Sequence, residues 1–271
     1  MTAKRIFGAL LIALLLAAVV VWDKTGYRGG NVEVVPLPAL VIGSDDYEPY
    51  NYIDSDGKPA GIDVEIAEEI CKRLGYTPVF EQITWENKDT YLEEQKVDCL
   101  WGCFTMSGRE DQYEWAGPYM YSREMIAVSK ESGIHSLADL AEKRVAVQVT
   151  TIPEQILLTG SDERIPQVRC VYSLSTMEEL YASLRKGYVD AIMGHESALG
   201  TFVLSNPDQF EILPECLYES SLGVAFEKDT HVELAARMTE EFKKMQRDGT
   251  IGTIAEKYGL DTGSVMGDTE E

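Results

Sequence analysis

The sequence predicts an α/β protein built from two similar lobes. Two observations carry that expectation. Short apolar strands alternate with amphipathic helices along most of the chain, and one helix–strand unit occurs twice. The first copy is Tyr91-Leu92-Glu93-Glu94-Gln95-Lys96-Val97-Asp98-Cys99-Leu100-Trp101-Gly102. The second runs from Leu180 through Arg185-Lys186-Gly187-Tyr188-Val189-Asp190-Ala191-Ile192-Met193 to Gly194. Each is a short helix, a basic turn, Val-Asp, three mostly apolar residues and a glycine. Two such units suggest two lobes whose strands end at a glycine, and ligand sites often lie between lobes of this kind.

The elements follow in order. Residues 31–39 read as a linker kept extended by Pro36 and Pro38. Leu40 to Gly43 is a first strand and Ser44 to Tyr50 the loop after it. Asp54-Ser55-Asp56-Gly57-Lys58-Pro59 is a turn; its glycine falls at the wrong position for a calcium loop. Ile62, Ile66, Ile70 and Leu74, with Ala67 and Cys71, form a helical stripe that Gly75 stops. Val79 to Ile83 is a second strand ending at Trp85, which suits either the core or a pocket wall.

Asp98 to Tyr119 organises the chain. An apolar strand opens into the small-residue loop Gly102-Cys103-Phe104-Thr105, and then comes Arg109. Open α/β sheets bind ligands at the carboxyl ends of their strands. An arginine there suits a carboxylate, because its planar fork donates two parallel hydrogen bonds; a solvated surface arginine is the plain alternative. Gly117-Pro118-Tyr119 reads as a turn, and Met125 to Val128 as a crossing to the second lobe. Ser136 with Asp139 starts a short helix. Arg144 to Val149 is a strand, followed by Thr150, Thr151 and Pro153 at a helix start. Threonines there can receive an anion at the helix N-terminus or simply cap it. Ser175 and Glu178 start the next helix. The second-lobe strand ends at Gly194, followed by His195 and Glu196. Leu222 to Phe226 is a return strand, Leu234 to Met245 an amphipathic helix ended by Asp248-Gly249, and Ile251 to Tyr258 a last helix. Residues 261–271 read as a flexible tail.

Composition narrows the function. A chain of 271 residues with 45% hydrophobic and 26% charged residues is ordinary for a globular protein. Its net charge of -22 speaks against nucleic acid, because no basic patch is left to neutralise phosphates. Five cysteines (Cys71, Cys99, Cys103, Cys170 and Cys216) are an odd number, which leaves at least one thiol unpaired outside the cell. No Cys/His spacing suggests zinc, so no metal or cofactor is expected. Lys4 and Arg5 precede an apolar run from Ile6 to Trp22. That run is near the lower limit for a bilayer span, roughly 17 residues. Its end, Val19-Val20-Val21-Trp22, lacks the small residues of a cleavage site. Residues 1–30 are therefore expected to be a signal anchor that places the domain outside the cytoplasmic membrane, with a cleaved signal as the alternative.

These motifs, in this order, resemble the extracellular solute-binding proteins of polar amino-acid ABC transporters, bacterial family 3. Tyr47-Glu48-Pro49-Tyr50 looks like that family's aromatic-x-Pro-aromatic loop. Gly61-Ile62-Asp63-Val64-Glu65-Ile66-Ala67 is similar to its Gly-Phe-Asp-x-Asp-Leu-Ala helix start, and Trp85 falls at its aromatic position. Val97-Asp98, Arg109 and Gly117-Pro118-Tyr119 keep its spacing apart from one residue lost before Arg109. Asp248-Gly249-Thr250 and Lys257-Tyr258 resemble its C-terminal signature. The likeness covers about Leu40 to Leu260. It implies a two-lobed, periplasmic-binding-protein-like type II fold with two crossing hinge segments. Lobe 1 would hold residues 40–124 and 222–260, and lobe 2 residues 125–221.

The resemblance also implies roles. Tyr47 and Trp85 would sandwich the ligand side chain. Gly102, Cys103 and Thr105 would line the site and partner the α-amino and carboxylate groups. Arg109 would hold the carboxylate, with Thr150 and Thr151 at a helix N-terminus. The family's aspartate for the α-ammonium is replaced by His195, with Glu196 beside it; Glu196 is the expected anion, because a neutral histidine is a poor partner for an ammonium. The implied function is capture of an amino acid by lobe closure and delivery to a membrane permease, by a monomer. A sensory role with a signalling partner is one alternative. A prephenate-type dehydratase on the same fold is another, though no nucleophile–base pair or metal set supports an enzyme.

Overall fold

The structure, a computed structural model, describes residues 36–267. The expected anchor of residues 6–22 lies outside the described residues. Among the described residues no helix is long and apolar enough to cross a membrane. Strand β1 (Ala39–Ser44) is followed by the Tyr47–Tyr50 loop and a hairpin of β2 (Tyr52–Ile53) and β3 (Pro59–Ala60). Asp54 makes the hairpin turn by accepting from the N–H groups of Asp56 and Lys58 at 2.8 and 2.9 Å. The helix Ile62–Leu74 ends at Gly75, which takes the left-handed conformation at φ 80°. Ile62, Ile66 and Ile70 are fully buried along one face, each contributing about 1.5–3 kcal/mol by leaving water. Strand β4 (Thr77–Gln82), the short helices Trp85–Asn87 and Lys88–Glu93, and strand β5 (Cys99–Leu100) complete the first pass through lobe 1.

Strand β6 (Glu114–Ser129) is one unbroken run that passes from lobe 1 into lobe 2. The turn expected at Gly117-Pro118 is therefore absent. The partner strand is bulged between Leu222 and Val224, so its ladder asks no N–H of Pro118. The Gly117 N–H donates to Thr239 Oγ1 at 3.1 Å.

Lobe 2 holds β7 (Arg144–Gln148), the helix Ile152–Thr159, β8 (Cys170–Leu174), the helix Met177–Arg185, β9 (Ala191–His195) and the helix Glu196–Ser205. The capping box of Met177–Arg185 is Thr176 with Glu179, one residue beyond the expected Ser175 and Glu178. Strand β10 (Phe210–Ile212) pairs with β6, and β11 (Tyr218–Phe226) returns to lobe 1. The return begins at Tyr218 rather than Leu222.

All but the hairpin strands join one mixed sheet, in the order β4-β1-β5-β11-β6-β9-β7-β8 with β10 on β6. The repeated unit is structurally the same in both lobes. Asp98 accepts the Val41 N–H at 2.7 Å at the start of β1. Asp190 accepts the Arg144 N–H at 2.8 Å at the start of β7. Each Val-Asp thus anchors its strand, β5 or β9, parallel to the lobe's leading strand.

The helices Val232–Arg247 and Thr250–Lys257 then cover lobe 1. The expected tail departs from its reading. Asp261 caps a helix from Thr262 to Met266 by accepting the Ser264 N–H, and Val265 is buried against the core. One apolar anchor and one cap are enough to order that segment.

Candidate functional site

The strand ends of both lobes meet at a small cavity of about 30 Å³, room for roughly two or three water molecules. Nine of the ten residues singled out in the sequence line it: Tyr47, Trp85, Gly102, Cys103, Thr105, Arg109, Thr150, Thr151 and His195. Gly102 and Gly194, the glycines that end the two repeats, both line it.

Arg109 is 9% exposed. Its Nη2 donates to the Thr150 carbonyl at 2.9 Å and its Nη1 to the Thr105 carbonyl at 3.4 Å. The guanidinium carbon lies 5.2 Å from the Phe104 ring centre. Among the described residues no carboxylate lies within 4.0 Å of Arg109. Burial lowers its pKa from the usual arginine value, the mark of a cation short of a partner. Two carbonyls accept part of its five N–H groups, leaving donors for an anion.

Thr151 is the cap of Ile152–Thr159. Its hydroxyl accepts the Glu154 N–H at 3.5 Å and donates to the Gln148 carbonyl at 2.6 Å. Thr150 sits at φ 60° and gives its N–H to Glu154. That strained backbone aims its carbonyl at Arg109. Lys88, 3% exposed, crosses from lobe 1 to donate to Thr150 Oγ1 at 3.1 Å. Its ammonium lies 5.6 Å from the Trp85 ring centre.

Trp85 is 5% exposed and meets Phe104 edge-on at 4.9 Å, so it serves core and cavity wall together. Tyr47 donates no obvious charge but its hydroxyl accepts the His195 N–H at 3.2 Å. Cys103 gives its N–H to Asp63 at 2.7 Å. Asp63 also accepts from Tyr119 and Asn51, which locks the glycine-rich loop onto the first helix. All five cysteines are free thiols, three of them buried. Thr105 donates to Ser220 at 3.3 Å.

The expectation for Glu196 is corrected. It starts the helix after β9 and pairs with Arg123 at 2.5 Å, half exposed and outside the cavity. Turning from strand to helix at His195 carries the next side chain out of the cavity, beside Arg123 on β6. Three charged or polar cavity residues went unread in the sequence, Asp45, Glu124 and Gln148, as did Lys88, which reaches Thr150 from beside the cavity. Gln148 donates to Asp45 at 2.6 Å across the lobes. Burial pushes the Asp45 carboxyl up to about 6, against that hydrogen bond. A usable signal existed for Asp45, which follows the carboxyl end of the first strand. Glu124 stands just before the apolar run Met125–Val128, and only burial reveals it.

Residues 40–261 match the bacterial extracellular solute-binding proteins, family 3. The L-cystine-binding protein TcyJ of Escherichia coli is 27% identical over 226 residues, covering 81% of this chain and 82% of that protein. The arginine-binding extracellular protein ArtP of Bacillus subtilis is 28% identical over 257 residues, 91% of this chain and 96% of that one. The crystal structure of Tv2483 bound to L-arginine superposes with a TM-score of 0.74 at 27% identity, covering 81% of this chain and 90% of that one. With a family match across four-fifths of its length, a matching fold and two lobes meeting at a small cavity, the chain belongs to the bacterial extracellular solute-binding proteins, family 3.

Proposed function

We propose that this protein captures an amino acid between its lobes and delivers it to the permease of an ABC transporter. The observation that carries the reading is Arg109: a buried guanidinium without a carboxylate partner among the described residues, facing the cavity beside the N-terminus of Ile152–Thr159. A ligand carboxylate there would receive charge-assisted hydrogen bonds from Arg109 and favourable helix-dipole charge near Thr150 and Thr151. Tyr47 and Trp85 would flank the rest of the ligand, and Gly102, Cys103 and Thr105 would offer backbone and hydroxyl partners. The chain works as a monomer held to the membrane by residues 6–22.

Closure is part of the mechanism. Among the described residues, hydrogen bonds that join the lobes include Lys88 to Thr150, Arg109 to Thr150, Gln148 to Asp45, His195 to Tyr47 and Ser197 to Tyr50. The cavity is smaller than an amino acid, so the lobes must part to admit one. A ligand touching both lobes then shifts the open–closed balance.

Thermal melts of the full chain with each common amino acid and L-cystine test this. Ligand that binds only the folded state raises the melting temperature by mass action. A rise with one chemical class supports the reading and names the ligand. No rise with any of them overturns it.

A further inference from the structure

Glu124 is a buried carboxylate at the point where β6 leaves lobe 1. It is 3% exposed and lines the cavity. The sheet register pairs its Cα with that of His195, which is 6% exposed. Glu124 Oε1 lies 3.1 Å from His195 Nε2. Glu124 Oε2 and His195 Nδ1 have no hydrogen-bond partner.

A buried carboxylate with one oxygen unmatched costs stability unless a cation or donor reaches it. His195 is no such cation: burial pushes it down to about 3, so it is neutral at physiological pH. The titratable groups around Glu124 come from four elements. They are His195 on β9, Arg109 and Cys103 from the loop after β5, Tyr218 on β11, and Tyr47 from the loop after β1. Of these only Arg109 is a cation, and it lies beyond 4.0 Å. Asp45, the other carboxylate lining the cavity, already accepts from Gln148. Glu124 Oε2 is thus the open acceptor of the site, in the same small cavity as the Arg109 fork.

We infer that Glu124, supplied by the crossing strand, takes the ammonium of the ligand in place of an acid at the end of β9. The inference rests on the amino-acid reading above. The ammonium and carboxylate of an amino acid hang from one carbon, so their receivers must share one small cavity, as Glu124 and Arg109 do. Burial also pushes the Glu124 carboxyl up to about 8. At pH 7 the free protein therefore holds a proton there. When the ammonium arrives, the carboxyl ionises, the ion pair forms and that proton leaves to solvent. Ligand binding becomes weaker as pH falls.

Calorimetric titration of the full chain tests this, using whichever common amino acid or L-cystine gives the largest melting shift. Titrations at pH 7 in two buffers of different ionisation enthalpy read the proton. The wild type is expected to release close to one proton per ligand. Glu124→Gln should release none and bind roughly 10- to 150-fold more weakly, the range for one hydrogen bond to a charged group. The double variant Glu124→Gln/His195→Asp should recover much of that loss, because the register sets the two positions side by side; a merely structural role for Glu124 predicts no such rescue. The inference fails if Glu124→Gln binds within threefold of wild type, or if the double variant folds but stays as weak as the single one. Should Glu124→Gln not fold, the wild type decides alone: tight binding without proton release overturns the inference and leaves the amino-acid reading intact. Absence of binding by any amino acid overturns both.

Discussion

Replacing Arg109 by methionine separates its charge from its packing. The apolar stem can still cover Phe104, whose ring lies 5.2 Å from the guanidinium carbon. What disappears is the fork. In the closed structure two of its N–H groups are given to the carbonyls of Thr105 and Thr150, which leaves donors for two bonds to a ligand carboxylate. Hydrogen bonds to charged groups contribute about 1.5–3 kcal/mol each, so losing two should cost about 3–6 kcal/mol. That is a loss of roughly 10²- to 10⁴-fold in affinity. Fold stability should change far less, because removing a buried cation that lacks a carboxylate partner relieves desolvation while it forfeits two carbonyl bonds. Calorimetric titration against the ligand found by melting shifts measures the first quantity, and a chemical denaturation curve the second. Affinity within threefold of wild type, in a variant that melts normally, would refute the assignment of Arg109 to the ligand.

Three further outcomes are expected. Gly61 adopts φ 125° and ψ 174°, and a Cβ there would sit 2.1 Å from the Tyr50 carbonyl oxygen. Gly61→Ala should therefore lose about 1–3 kcal/mol from backbone strain alone, with more from the clash, read as a lowered denaturation midpoint. Glu196→Gln breaks only the half-exposed pair with Arg123; it should cost under ~1 kcal/mol and leave ligand affinity within about threefold. Stability should also depend on pH in a defined way. Buried His195, held down to about 3, favours the fold increasingly as pH rises toward the ordinary histidine value of 6.5. Glu124, held up to about 8 from 4.5, keeps a proton that the unfolded chain gives up, so its contribution falls as pH rises through that window. Above pH 6.5 only the Glu124 effect of the two remains, and stability should decline toward pH 8 by at most about 1.4 kcal/mol per unit for one proton. Denaturation midpoints across that range should show the decline in wild type and a shallower one in Glu124→Gln, where Asp63, pushed up to about 7 by burial, still contributes; a flat wild-type profile would contradict it.

Much of the architecture was open to reading because it rests on local order. The stripe Ile62–Leu74 with Gly75 behind it specifies a helix and its end without help from elsewhere. The two Val-Asp units carry their own anchor, since each aspartate accepts a backbone N–H near the start of the neighbouring strand. Arg109 stood out because it is the one cation between Asp98 and Tyr119, just past a strand end.

Other features depend on what faces what across the folded chain, and no local pattern records that. Gly117-Pro118 looks like a turn until a bulge at Leu222–Val224 on the opposite strand lets β6 run straight through it. Thr262–Met266 looks like a loose end until Val265 finds an apolar surface. His195 and Glu196 are neighbours in sequence, yet the change from strand to helix puts one in the cavity and the other against Arg123 outside it. Glu124 is distant from His195 in the chain, and the β6–β9 register sets them together with one oxygen unmatched. The helical stripe, the two Val-Asp units and an arginine just past a strand end are all local patterns, and each was legible before the fold was known. Which carboxylates share a cavity with Arg109 has no such local signature, because burial and cross-strand register are properties of the assembled sheet and of no single stretch within it.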